Sequence, residues 1–230
     1  MPVYRLTRRV AFPPPDHATP DGLLAVGGDL SSERLLLAYQ LGIFPWYAEG
    51  QPILWWSPDP RLILEPKDFH ISRRLLQILK KGIFEVTFDT VFTEVIQACA
   101  AAPRRGQHGT WITPEMQEAY IRLHRLGFAH SVESWLNGEL VGGVYGVSLG
   151  KSFFGESMFF RKTDASKVAF AILVEQLKAW GFHMIDAQVT TQHLLRFGAK
   201  EIPRRLFLKR LQMSLRFPTL RGKWKNVTGE

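Results

Sequence analysis

Cysteine is nearly missing from this chain of 230 residues: Cys99 is the only one, so no internal disulfide forms and no cysteine-rich metal site can be assembled. Long apolar runs are missing too. No window approaches the roughly 20 residues that a membrane helix needs. No apolar stretch follows Arg5, Arg8 and Arg9 in the manner of a secretory leader. A protein of the reducing cytoplasm, without membrane attachment, is expected. The seven histidines include no pair at zinc-binding spacing, and neither a Gly-x-x-x-x-Gly-Lys loop nor a Gly-x-Gly-x-x-Gly turn is present. Metal, nucleotide hydrolysis and dinucleotide redox chemistry lack their usual scaffolds, so neither metal nor cofactor is expected. The absence of heptads and of long apolar edges points to a monomer.

Acid is scarce in one region. Between positions 200 and 225 nine basic residues face one acid, Glu201, and this block accounts for the whole net charge of +8. Clustered cations are the footprint of a polyanion, because each Lys or Arg that neutralises a phosphate releases condensed counterions. A solvated basic tail has the same composition, so charge alone leaves nucleic acid open.

What is present is an ordinary globular composition, 46% hydrophobic and 22% charged. The first 63 residues are dense in proline, glycine and aromatics, which excludes long regular elements; they read as a small irregular domain with one helix, from Ser31 or Ser32 to Gly42. From residue 64 to 230 the pattern becomes regular. Helices are expected over 72–81, 91–101, 114–126, 166–181 and 191–197, and strands over 84–88, 129–136, 139–149, 151–159 and 184–189. Asn137-Gly138 and Gly150 mark hairpins between the middle strands. A meander of antiparallel strands flanked by helices is an α+β pattern, in the order of the acetyltransferase-like (GNAT-like) mixed sheet.

Two of these strands carry polar groups where apolar ones belong. In Gly155-Glu156-Ser157-Met158-Phe159 the period of two predicts that Phe154, Glu156 and Met158 share a face, and in Ile185-Asp186-Ala187-Gln188-Val189 that Met184, Asp186 and Gln188 do. A carboxylate buried without a partner costs several kcal/mol or more, so each needs a hydrogen-bond partner, a cationic ligand or an open mouth. An apolar pocket with carboxylates and an amide at its wall suits a ligand that is both greasy and cationic.

Particular strings add to this reading: Gly-Leu-Leu-Ala-Val-Gly-Gly-Asp-Leu at 22–30, Gly-Ile-Phe-Pro-Trp at 42–46 and Leu-Trp-Trp-Ser-Pro-Asp-Pro-Arg at 54–61. Gly-Thr-Trp-Ile-Thr at 109–113, Gly-Gly-Val-Tyr-Gly at 142–146, Gly-Glu-Ser-Met-Phe at 155–159, Ala-Ser-Lys at 165–167 and Glu-Ile-Pro-Arg at 201–204 continue them. In these, from about Phe12 to Arg205, the chain resembles the bacterial leucyl/phenylalanyl-tRNA protein transferases. The resemblance implies transfer of leucine or phenylalanine, and methionine less well, from aminoacyl-tRNA to the N-terminal Arg or Lys of acceptor proteins, which marks them for N-end rule degradation.

The resemblance also implies roles. Asp186 and Gln188 are the pair it assigns to peptide-bond formation, Asp186 as anchor or relay and Gln188 against the attacking amine. Glu156 or Asp186 would receive the cationic side chain of the acceptor. Trp46 and Trp111 match tryptophans around the terminal adenosine, and Val144, Phe154, Met158, Phe170, Ile185 and Val189 are candidates for the slot of the donor side chain. Arg73, Lys80 and Lys81 match the family's tRNA-binding cluster, with Gln77 departing from a basic residue there. An aminoacyl ester is already activated, so neither nucleophile nor cofactor is required. Two other readings stay open: an acyl-coenzyme A N-acyltransferase, although Arg161–Lys167 lacks its glycine-rich pyrophosphate turn, and a non-catalytic RNA-binding module, which accounts for the basic block but not for Glu156, Asp186 and Gln188.

Overall fold

A computed structural model describes residues 3–103 and 110–225. Gly109, the first residue of one string above, lies outside them. The elements in chain order are β1 (Tyr4–Leu6), β2 (Leu23–Gly27), α1 (Ser32–Gln40), β3 (Phe44–Pro45), β4 (Leu54–Trp56), β5 (Arg61–Leu64), α2 (Arg73–Lys81), β6 (Glu85–Phe88), α3 (Phe92–Ala101) and α4 (Pro114–Arg125). They continue with β7 (Ala129–Leu136), β8 (Glu139–Leu149), β9 (Ser152–Phe160), α5 (Ala165–Ala179), β10 (Met184–Gln188), α6 (Gln192–Leu195), β11 (Lys200–Ile202) and α7 (Arg204–Ser214).

The fold is mixed α+β. A small sheet of order β1-β2-β4-β3 lies beside a seven-stranded sheet of order β11-β5-β10-β9-β8-β7-β6. In the large sheet only β9 and β10 run parallel, and α5 makes the crossover between them. The N-terminal segment is thus more regular than its proline content suggests, but its strands are two to five residues long and pair across sequence, which local patterns do not reveal. Position 63 falls inside β5, a strand of the large sheet.

Apolar side chains fill both faces of the large sheet. On one, Leu35, Trp55, Val95, Met116, Tyr120, Tyr145 and Phe207 join α1, α3, α4, α7 and the small sheet in a single core, which also buries Cys99. On the other, Leu75, Val144, Phe153, Phe170, Leu173 and Ile185 pack α2 and α5. Helix starts follow their caps: Ser31, Ser72 and Thr113 each accept a backbone N–H of the first turn.

The basic block is not one exposed patch. Lys200 and Arg210 both pair with Glu65, at 2.8 and 2.7 Å, and Arg204 binds the Ser57 carbonyl and the Asp59 carboxylate. The segment after α7 straps back along the sheet. Thr219 accepts the Gly150 amide, Arg221 covers the Phe128 ring, and buried Trp224 stacks on His130 at 3.7 Å while its amide donates to Asp89.

Candidate active site

The parallel ladder between β9 and β10 ends at the Phe154–Asp186 pair, and just beyond it each strand carries an irregularity. In β9 the register with β8 shifts between Tyr145–Ser157 and Gly146–Gly155, which makes Glu156 an extra residue. Gly146 permits this, since a Cβ there would lie 2.2 Å from the Phe154 carbonyl oxygen. In β10 the register with β5 shifts between Asp186 and Gln188, and Gln188 sits at φ 64°, a conformation few side-chain-bearing residues adopt. The two strands splay apart, and a cavity of about 310 Å³ opens between them, at the small end of ligand-site volumes.

Its floor is apolar, made by Leu64, Val144, Met158, Phe170 and Ile185 from the large sheet and α5. Trp46 and Trp111 stand on the side of the small sheet, and Val189, Thr191, His193 and Leu194 on the side of α6. Trp46 is held from both directions, its amide donating to Leu54 and its carbonyl accepting from the Trp56 indole at 2.7 Å.

The bulges correct the period-two reading. Phe154 does not reach the cavity; it packs on Tyr39, ring centres 4.9 Å apart, in the core on the opposite face from Met158. Asp186 does not reach it either. It is fully buried and gripped by Arg61 through two hydrogen bonds, 2.8 and 2.6 Å long, while the guanidinium lies between the rings of Phe44 and Phe207. Its Oδ1 also accepts the Gln188 amide at 2.9 Å, so Asp186 fixes the unusual backbone that presents the Gln188 side chain. With Arg61 already paired to it, Asp186 offers no charge to an incoming cation. A lone arginine in the apolar run Arg-Leu-Ile-Leu was the sequence signal for this partner.

Glu156 is the acidic group on the cavity wall. Oε1 accepts from the Tyr39 hydroxyl at 2.7 Å and from the Gln188 side-chain amide at 2.8 Å, and Oε2 from the Tyr120 hydroxyl at 3.1 Å. Burial pushes its pKa up to about 7, a rise that the three hydrogen bonds oppose and the nearby Asp186 charge assists. Part of the residue remains open to the cavity, where water moderates that effect. The Tyr39 and Tyr120 oxygens also contact each other. With an ionised carboxylate both hydroxyls donate to Glu156 and no proton is left for that contact. With a protonated one the ring closes: carboxyl to Tyr120, Tyr120 to Tyr39, Tyr39 back to the other carboxyl oxygen. Both tyrosine pKa values are pushed well above 10, first by burial. No sequence signal distinguishes these two tyrosines from ordinary core residues.

His193 lines the wall as well. Burial, with Lys167 and Arg196 nearby, lowers its pKa below 6.5, which keeps a neutral imidazole on the wall at neutral pH. Arg73, Lys80 and Lys81 are all exposed on α2, which docks through Leu75 and ends at Gly82 in the left-handed region. Their neighbour Arg74 pairs with Asp164 at 3.1 Å.

The cleft is thus an apolar cavity beyond the end of the β9–β10 ladder, with one carboxyl and a glutamine at φ 64° in its wall. Comparison with known proteins supplies the class. The family described as leucyl/phenylalanyl-tRNA protein transferase matches residues 63–212, and its N-terminal domain matches residues 28–59. Proteins of that name include one from Anaeromyxobacter sp. (strain Fw109-5), 60% identical with 100% of this chain and 98% of that one covered. Another, from Desulfatibacillum aliphaticivorans, is 61% identical with 97% and 96% covered. The chain belongs to the leucyl/phenylalanyl-tRNA protein transferase family and is an aminoacyltransferase. Among solved structures, a GCN5-related N-acetyltransferase-like protein from Streptococcus suis is 16% identical with a TM-score of 0.35 over 73% of this chain and 63% of that one, a likeness too distant to carry weight.

Proposed function

We propose that the protein transfers leucine or phenylalanine, and methionine less well, from aminoacyl-tRNA to an N-terminal Arg or Lys of acceptor proteins, marking them for N-end rule degradation. The observation that carries this reading is the Glu156–Gln188 hydrogen bond at the wall of an apolar, aromatic-rimmed cavity. In this reading the leucyl or phenylalanyl side chain lies on Val144, Met158, Phe170 and Ile185. Such a slot discriminates one methylene by only about 1–3 kcal/mol, which suits an enzyme that accepts related side chains. Trp46 and Trp111 supply an aromatic platform for the terminal adenine, worth roughly 1–3 kcal/mol per stacked base. Arg73, Lys80 and Lys81 bind the tRNA backbone as point charges.

In the reaction the amine nitrogen bonds to the ester carbonyl, the bond from that carbon to the ribose oxygen breaks, and one proton passes from the amine to the departing oxygen. An α-amino group has a pKa of about 7.7–8.0, so a neutral fraction is available near pH 7. Because the Gln188 amide nitrogen donates to Glu156, its oxygen remains to accept from the attacking amine and fix its approach. Glu156, titrating near 7, is suited to hold the proton in transit. Asp186 acts through Arg61 and the Gln188 backbone as a positioning residue.

The test is transfer of labelled leucine from Leu-tRNA to a peptide beginning with Arg, with a peptide beginning with Glu as control, in wild type and Gln188→Ala. Transfer to the Arg peptide alone, much slowed in the variant, is expected. Tight tRNA binding with no transfer would refute the reading in favour of an RNA-binding module.

A further inference from the structure

The acceptor's positive side chain needs an anion near the site, and the two acids at the cleft already have partners. Asp186 is sealed by Arg61, and Glu156 is bound by two tyrosines and Gln188 with its pKa near neutrality. We propose that Glu201 receives the cationic side chain of the acceptor's first residue.

Strand register supplies the first support. Leu62 of β5 pairs with Gln188 on one side and with Glu201 on the other, so the three residues form a row across the sheet. Residues paired in a row share a face. Leu62 packs into the core with Phe170 and Ile185, two residues of the cavity floor, so Glu201 stands on the cavity side of the sheet. Adjacent strands are about 4.8 Å apart, which sets Glu201 about 10 Å from Gln188 along the row. An arginine or lysine whose amine is held at Gln188 can span that gap with its own side chain.

The second support is the state of the carboxylate. Glu201 is exposed, and its Oε1 accepts from the hydroxyl of Thr190, which lies between the cavity-lining Val189 and Thr191. Among the described residues it makes no ion pair. Two nearby cations are engaged elsewhere: Lys200 with Glu65 and Asp68, and the Arg204 guanidinium with the Ser57 carbonyl and Asp16. The one acid of the basic block is therefore tied through Thr190 to the Val189–Thr191 wall of the cavity.

This assignment rests on the transferase reading above, and the test separates the two. Transfer of leucine is measured to peptides that begin with arginine or with citrulline, its uncharged isostere, using wild type, Glu201→Gln, Glu201→Lys, Thr190→Val and Glu115→Gln. Glu115, exposed in the first turn of α4, is the control acid on the tryptophan side. Glutamine keeps an acceptor for Thr190 and removes only the charge. The arginine-over-citrulline preference in kcat/KM is expected to fall about fivefold in Glu201→Gln, the scale of a partly exposed ion pair, and further in Glu201→Lys. Retention of the full preference in both variants overturns the proposal, as does its loss in Glu115→Gln instead. Equal slowing of both peptides in Glu201→Gln and Thr190→Val would reduce Glu201 to a structural support for the rim and also overturns it. A wild type that transfers to neither peptide defeats the transferase reading itself.

Discussion

Replacing Glu156 by glutamine should make the protein's stability less dependent on pH, by an amount that follows from the structure. The amide is nearly isosteric with the protonated carboxyl and donates to Tyr120 in the same closed ring of hydroxyls. The wild-type carboxyl titrates at about 7 in the folded chain against an ordinary 4.5. Between those values the folded state binds the extra proton, so stability is fully present below pH 4.5 and is lost as pH rises through 7. The gap corresponds to about 3 kcal/mol, and water in the open cavity reduces the expected loss to about 1–3 kcal/mol. Urea denaturation of wild type and Glu156→Gln at half-unit steps from pH 5 to 8.5 gives the difference directly. His130 and His193, whose pKa values are lowered by burial, contribute the opposite slope below 6.5, but equally to both proteins. The variant should gain on the wild type steadily up to about pH 7.5 and then hold its lead. Parallel stability profiles would refute the argument that burial of Glu156 holds it protonated.

Three further outcomes are expected. Arg61→Met leaves the buried Asp186 carboxylate without its counter-ion and should cost about 3–5 kcal/mol by chemical denaturation, with part recovered on adding Asp186→Asn; a single variant as stable as wild type would show that the pair is not desolvated. Gly146→Ala sets a methyl 2.2 Å from the Phe154 carbonyl oxygen and should lower stability by about 1–3 kcal/mol, read from the urea midpoint, whereas an unchanged midpoint would mean that the bulge shifts freely. Trp224→Ala should cost about 3–5 kcal/mol while Arg221→Ala, on the exposed side of the strap, changes melting little; equal effects would contradict the packing of the C-terminal segment.

The regular elements of the large domain were legible where pattern and punctuation agreed. The strands at 129–136 and 139–149 have the expected limits because Asn137-Gly138 fixes their hairpin, and α2 begins and ends where Ser72 and Gly82 require. What stayed hidden depends on distant pairing or on bulges. β5 has no local periodicity and exists because β10 and β11 flank it. α7 was masked by its basic residues, although Phe207, Leu211 and Ser214 recur at helical spacing and are all buried. Glu156 and Gln188 stand out as polar residues in apolar strands, yet strict alternation misplaces Phe154 and Asp186, because one extra residue in each strand reverses it. The tyrosine pair around Glu156 comes from α1 and α4, and only the three-dimensional packing joins them.

The Arg61–Asp186 pair also has a consequence for the order of synthesis. Its members are 125 residues apart, and the guanidinium is clamped by Phe44 from the small sheet and Phe207 from the last helix. A nascent chain emerges from its N-terminus, so Arg61 leaves the ribosome long before either Asp186 or α7 can neutralise and cover it. Contacts of such separation form late, because a long loop must close before they stabilise anything. The Arg61–Asp186 pair, which holds the Gln188 backbone, is thus covered only once α7 has docked.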